Sequence, residues 1–147
     1  MQERFETFTV LINRISRDIR KIKNQEMAAY HLRSIHASCL YYIYSLGSVT
    51  SAELCEHCEE DKATISRAVD YLETNGFLLR DAGAKRYKSP LLLTEKGRDT
   101  GKRIAEKIDG VLETISHALT EEERIEFYRS LSIISRSLEA IVQNSEE

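Results

Sequence analysis

Three cysteines, and a run of short polar and basic side chains just after two of them, are the residues of this 147-residue chain whose types and spacing offer chemistry. Cys55-Glu56-His57-Cys58 has the C-x-x-C spacing of thiol redox motifs and of half a zinc site. A closed zinc site needs four ligands, and the sequence supplies no second C-x-x-C and no H-x-x-x-H. The expectation is no metal and no cofactor, with Cys55 and Cys58 as small helix residues sharing a face with Leu54. Thiol or metal sensing at Cys55 and Cys58 stands beside it as the alternative. Cys39, near Tyr42 on one helical pattern, offers lining for a small-molecule effector pocket, or plain core. For catalysis the chain has no Gly-rich phosphate loop, no nucleophile elbow and no H-E-x-x-H. His31, His36 and His117 are scattered, so no catalytic residue and no enzyme activity are expected.

The run after the C-x-x-C points to nucleic acid. A helix that reads duplex DNA presents short polar and basic side chains at its N-terminal end, where it enters the major groove, and keeps its other face packed. Lys62, Thr64, Ser66 and Arg67 fit that description, with Ile65, Ala68, Val69 and Leu72 on the opposite face. Lys85, Arg86 and Lys88 follow in or beside a tight turn, where long cations reach phosphates or the minor groove. The net charge of −3 argues the other way until it is divided. Residues 62–103 hold 10 basic and 5 acidic side chains, whereas 1–61 hold 7 and 9, and 104–147 hold 4 and 10. A compact positive module neutralises phosphates, whatever the total. A protein-contact module with the same fold and no DNA role is the competing class.

The elements that must position these residues are mostly helical. Phe5, Phe8, Ile12, Ile15, Ile19 and Ile22 step by three and four, which predicts a helix to about Asn24. A second runs from about Leu32 to Leu46 and stops at Gly47. Thr50-Ser51-Ala52-Glu53 has capping-box spacing and opens a short helix through Cys58. Asp61 is the N-cap of the next, which ends at Asn75-Gly76. Two short capped helices around Glu59-Glu60-Asp61 make a helix-turn-helix. Residues 77–80 and 86–94 read as two strands about a turn, with Pro90 marking an edge, which completes a winged helix. Beyond Gly97 the helical period returns, and Thr120-Glu121-Glu122-Glu123 is a third capping box.

The fold class expected is mainly α with a small β-hairpin wing. One domain of 1–147 is expected, with a winged helix-turn-helix lobe at 32–97 and helical dimerisation segments at 1–28 and 98–147. Heptad-like stripes at both ends ask for a second copy of the chain: Phe5, Phe8, Ile12, Ile15 and Ile19 at one end, Leu131, Ile134, Leu138 and Ile141 at the other. The longest apolar run, Leu40–Tyr44, is far too short to span a membrane. The acidic N-terminus is unlike a signal peptide, so a cytoplasmic location with reduced thiols is expected.

Ala52-Glu53-Leu54-Cys55, the run Asp61 to Phe77, and Leu93-Thr94-Glu95-Lys96-Gly97 after a basic hairpin resemble the MarR family of bacterial transcriptional regulators. That resemblance implies a homodimer with two winged helix-turn-helix lobes on a pseudo-palindromic operator, commonly a repressor released by a small molecule, by oxidation or by metal. Thr64, Ser66 and Arg67 match the family's DNA-contacting stretch. The wing departs from it: the places of the family's usual Asp and Arg hold Lys85 and Tyr87, with Arg86 between them. The N-terminal reactive Cys of the family's peroxide sensors is absent, the first cysteine being Cys39, and His117 alone stands where its zinc sensors are His-rich.

Overall fold

The computed structural model describes residues 2–79 and 87–145. Six α-helices follow one another: α1 (Gln2–Met27), α2 (Ser34–Leu46), α3 (Ser51–Cys58), α4 (Lys62–Thr74), α5 (Glu95–Ser116) and α6 (Glu121–Asn144), with a 3-10 turn at Ala28–Tyr30. They form two compact units, Met1–Ala105 and Glu106–Glu147, divided within α5.

In the first unit the caps settle where helices start and stop. Thr50 Oγ1 accepts the Glu53 amide at 3.2 Å while Glu53 Oε2 accepts the Thr50 amide at 2.8 Å, so two free donors at the start of α3 are satisfied reciprocally. Asp61 Oδ1 accepts the Thr64 amide at 2.7 Å and starts α4. Gly76, at φ 77°, takes the left-handed turn that ends the helix. α1 runs one turn beyond the expected Asn24, because Gln25, Glu26 and Met27 favour helix and nothing breaks it before His31 turns left-handed. α2 starts two residues later than the pattern suggested: Arg33 is extended, its amide donates to His36 Nδ1 at 3.0 Å, and the Ser34 amide donates to Asn24 Oδ1 at 2.7 Å.

The core of this unit is Leu40, Ile43, Leu54, Ile65, Leu72, Phe77 and Leu78, all at most 2% exposed. α2 packs on α1, α3 and α4, and α3 on α4. Leu93-Thr94-Glu95-Lys96-Gly97 fastens the end of α4 to the start of α5. Thr94 Oγ1 donates to the Gly76 carbonyl at 2.6 Å and accepts the Gly97 amide at 3.0 Å, and Lys96 Nζ donates to the Asn75 carbonyl at 2.8 Å.

The expected β-hairpin is not seen as strands among the described residues. Two single antiparallel bridges stand there, Leu78 with Leu93 and Thr50 with Pro90. The returning segment divides its pairing between two neighbours: the Leu91 amide donates to Val49 at 2.8 Å, while the Leu79 amide donates to Leu92 at 2.9 Å. Pro90 has no N–H to lengthen either ladder. The turn at 81–85 lies outside the described residues.

In the second unit, Thr120 Oγ1 and Glu123 form the expected capping box at the start of α6. α6 buries none of its described residues.

Candidate nucleic-acid interface

The helix-turn-helix presents α4 as an amphipathic rod. Ile65, Ala68, Val69 and Leu72 are buried, while Lys62, Ala63, Ser66, Arg67 and Asp70 are exposed and Thr64 and Tyr71 are half-buried. The buried face follows from the 3.6-residue period, and it leaves the N-terminal turns of α4 as the part with free polar side chains. An Arg67 guanidinium nitrogen donates to Thr64 Oγ1 at 3.4 Å, so the two residues lie together on that open face. The Asp61 carboxyl is held below the ordinary carboxylate range by the Thr64 amide, with a smaller contribution from the Arg67 charge. A carboxylate that stays ionised and spends itself on the cap leaves Lys62 and Arg67 as the cations this surface offers to a phosphate.

Of the wing residues, Lys88 is exposed, whereas Lys85 and Arg86 lie outside the described residues. Tyr87, which fills the place of the family's usual wing Arg, was not among the residues expected at the site. Its ring carries the Lys62 ammonium at 4.4 Å, and its hydroxyl is 3.4 Å from Cys55 Sγ. The hydrogen bond to Cys55 pushes the Tyr87 phenol up, which keeps it neutral beneath the lysine. Tyr87 thus ties the segment after the hairpin turn to both α3 and α4. No sequence signal marks this link, because its partners stand 32 and 25 residues away.

The cysteines are arranged differently from the C-x-x-C expectation. Cys55 faces Tyr87, while Cys39 on α2 holds the Cys58 thiol below its ordinary range. Cys39 is fully buried. Cys58 is half-buried and lines an open cleft of about 720 Å³ in the first unit with Lys23, Arg33, Ser38 and Glu60. Tyr42 stacks on His57 at 5.0 Å. Neither Cys39 nor Tyr42 is among the lining residues of that cleft. No group of three or more His, Cys, Asp or Glu placed to hold a metal occurs among the described residues.

Of the residues expected to meet a second copy of the chain, Ile15 is 50% exposed, Leu138 50% and Ile141 62%; Ile12, Ile19 and Ile134 are also exposed, and Phe8 and Leu131 are half-buried. The Phe5 side chain lies outside the described residues. No described helix is long and apolar enough to cross a membrane.

Residues 32–86 match the model of the MarR family. The chain is 28% identical over 85 residues to an uncharacterised HTH-type transcriptional regulator, YwoH, of Bacillus subtilis; the match takes in 58% of this chain and 62% of that protein. In structure it resembles the MepR–DNA complex of S. aureus, with a TM-score of 0.78 at 19% identity over 89% of this chain and 97% of the other. It also resembles NMB1585, a MarR family regulator from Neisseria meningitidis, with a TM-score of 0.79 at 17% identity over 97% and 98% of the two chains. At such identities the structural likeness speaks for the fold, a mainly helical one.

Proposed function

We propose that this chain, whose residues 32–86 match the MarR family model, is a transcription regulator of that family and not an enzyme, and that it binds duplex DNA as a homodimer to repress transcription. The observation that carries the reading is the exposed set Lys62, Ser66 and Arg67 on the N-terminal half of a capped helix whose other face is sealed in the core. In this reading two copies of α4 enter successive major grooves about 34 Å apart. Thr64, Ser66 and Arg67 meet base edges and phosphates; Lys62, Lys88, Lys85 and Arg86 add phosphate or minor-groove contacts. That the chain carries +5 in residues 62–103 and an acidic surplus elsewhere supports confining the contact to this module.

Dimerisation belongs to the same proposal, supported by the exposed apolar stripes of α1 and α6. Segments 1–28 and 98–147 supply the interface, 32–97 the DNA-binding lobe, and the protein acts in the cytoplasm. A small-molecule effector is better served by the cleft beside Lys23 and Arg33 than by Cys39 and Tyr42, since Cys39 offers no surface to a ligand.

The test is Arg67→Ala against wild type on duplex fragments selected from genomic DNA, titrated across a range of salt. The variant is expected to bind the selected fragment tenfold or more weakly, with a salt slope shallower by about 1 and an unchanged dimer. Wild-type affinity and slope in the variant would remove Arg67 from the interface.

A further inference from the structure

Lys62 is the first residue of α4, an awkward position for a cation. The unpaired amides of a helix N-terminus carry partial positive charge, which repels an ammonium placed there. The neighbouring carboxylate is committed to the cap, Asp61 Oδ1 accepting the Thr64 amide at 2.7 Å. What faces the ammonium is the ring of Tyr87, with its centroid 4.4 Å from Nζ. The face of an aromatic ring is the negative part of its quadrupole, so it attracts the cation without neutralising it. Lys62 is exposed and Tyr87 half-buried, so the ring supports the lysine from the protein side and leaves the outer side to solvent.

Tyr87 is anchored in its turn. Its hydroxyl lies 3.4 Å from Cys55 Sγ on α3. Further along the same segment the Leu91 amide donates to the Val49 carbonyl at 2.8 Å, and the Leu92 carbonyl accepts the Leu79 amide at 2.9 Å. The backbone that carries the ring is therefore pinned to the rest of the first unit, and the ring cannot simply follow the lysine wherever it swings.

We propose that Tyr87 is a positioning residue for DNA binding, its ring presenting the Lys62 ammonium to a phosphate of the duplex beside the face of α4 that carries Thr64 and Arg67. The proposal rests on the reading of α4 as the DNA-contacting helix. An ammonium has three N–H donors, and with the ring on one side the others stay open to phosphate oxygens. Ring and phosphate both attract the cation, from opposite sides, so the two contacts reinforce each other. An unsupported lysine spreads over many rotamers, which a phosphate contact must then collect against entropy. The ring narrows that spread before DNA arrives. Sulfur is a weak hydrogen-bond partner, so the ring and not the hydroxyl carries the effect.

Binding of the full chain to a mixed-sequence DNA duplex, followed by fluorescence anisotropy across a range of salt, reads phosphate contacts whatever the sequence. Lys62→Met is expected to make the salt slope shallower by about 1. Tyr87→Leu, which keeps an apolar side chain and removes the ring, should weaken binding about three- to fivefold when Lys62 is present and leave it unchanged in the Lys62→Met background. Tyr87→Phe should bind like wild type. An equal loss in both backgrounds would mean that Tyr87 only supports the fold, and no loss in either would mean that it holds nothing DNA uses; each overturns the proposal. Arg67→Ala on the same duplex separates the two readings. If it weakens binding while Tyr87→Leu does not, α4 keeps its role and Tyr87 loses the one proposed; if neither weakens it, both fall. Proton NMR of the wild-type protein without DNA needs no variant to fold. The Lys62 ε-methylene protons should lie upfield of those of other exposed lysines, shifted by the ring current, and ordinary positions for them would also overturn the proposal.

Discussion

Gly97→Ala tests the fastening of α4 to α5, which holds α4 at its C-terminal end. A methyl group built at Gly97 collides with the carbonyl oxygen of Phe77, a backbone atom that cannot rotate away. That oxygen already accepts the Thr94 amide at 3.1 Å and Thr94 Oγ1 at 3.2 Å. Moving it therefore strains both bonds, each worth about 1 kcal/mol, on top of about 1–3 kcal/mol of overpacking. Alanine returns at most about 1 kcal/mol of helix propensity. The net expectation is a destabilisation of about 3 kcal/mol, which for a chain of this size lowers the melting temperature by roughly 6–12 °C. Gly110→Ala, on the same helix with nothing within 4 Å of the added carbon, supplies the control and should gain about 0.5–1 kcal/mol. Thermal and urea unfolding followed by circular dichroism at one fixed protein concentration would decide it. A Gly97→Ala protein as stable as wild type would refute the idea that this approach locks the two helices.

Three further outcomes follow from the same structure. Replacing Leu138 by Glu should convert a dimer to a monomer in analytical ultracentrifugation, because it puts a carboxylate into the stripe proposed to meet the second chain; a retained dimer would place the interface elsewhere. Burial, with the Arg33 charge adding to it, holds the His36 imidazole below its ordinary 6.5, and its neutral Nδ1 accepts the Arg33 amide. The unfolded chain thus binds more protons, so stability present above pH 6.5 should be lost as pH falls through 6.5 towards the lower folded value, and His36→Asn should blunt that loss in urea midpoints. Glu59, left-handed at φ 52° in the turn of the helix-turn-helix, should yield to glycine with a gain of about 0.5–1 kcal/mol in urea unfolding; a loss would mean that its side chain holds the turn.

The helices and their limits were legible in the residues because the forces that set them are local. Thr50, Asp61 and Thr120 satisfy amides three residues ahead, and the apolar period of α4 assigns its buried face without reference to any neighbour. Arg67 and Thr64 could be placed together on that account alone. The hairpin is not seen as strands among the described residues, and alternating residues around a turn do not reveal that Leu91 pairs with Val49 while Leu79 pairs with Leu92.

What the sequence by itself determined is the order of the caps, the buried and open faces of α4, and the concentration of positive charge in residues 62–103, each a matter of neighbours within one or two helical turns. Only the tertiary structure decided the surroundings of each thiol. Spacing couples Cys55 with Cys58, but packing of α2 on α3 lets Cys39 lower the Cys58 thiol and leaves Cys55 to Tyr87. A contact between residues far apart in the chain depends on how helices cross, and helix crossing is fixed by the whole core at once.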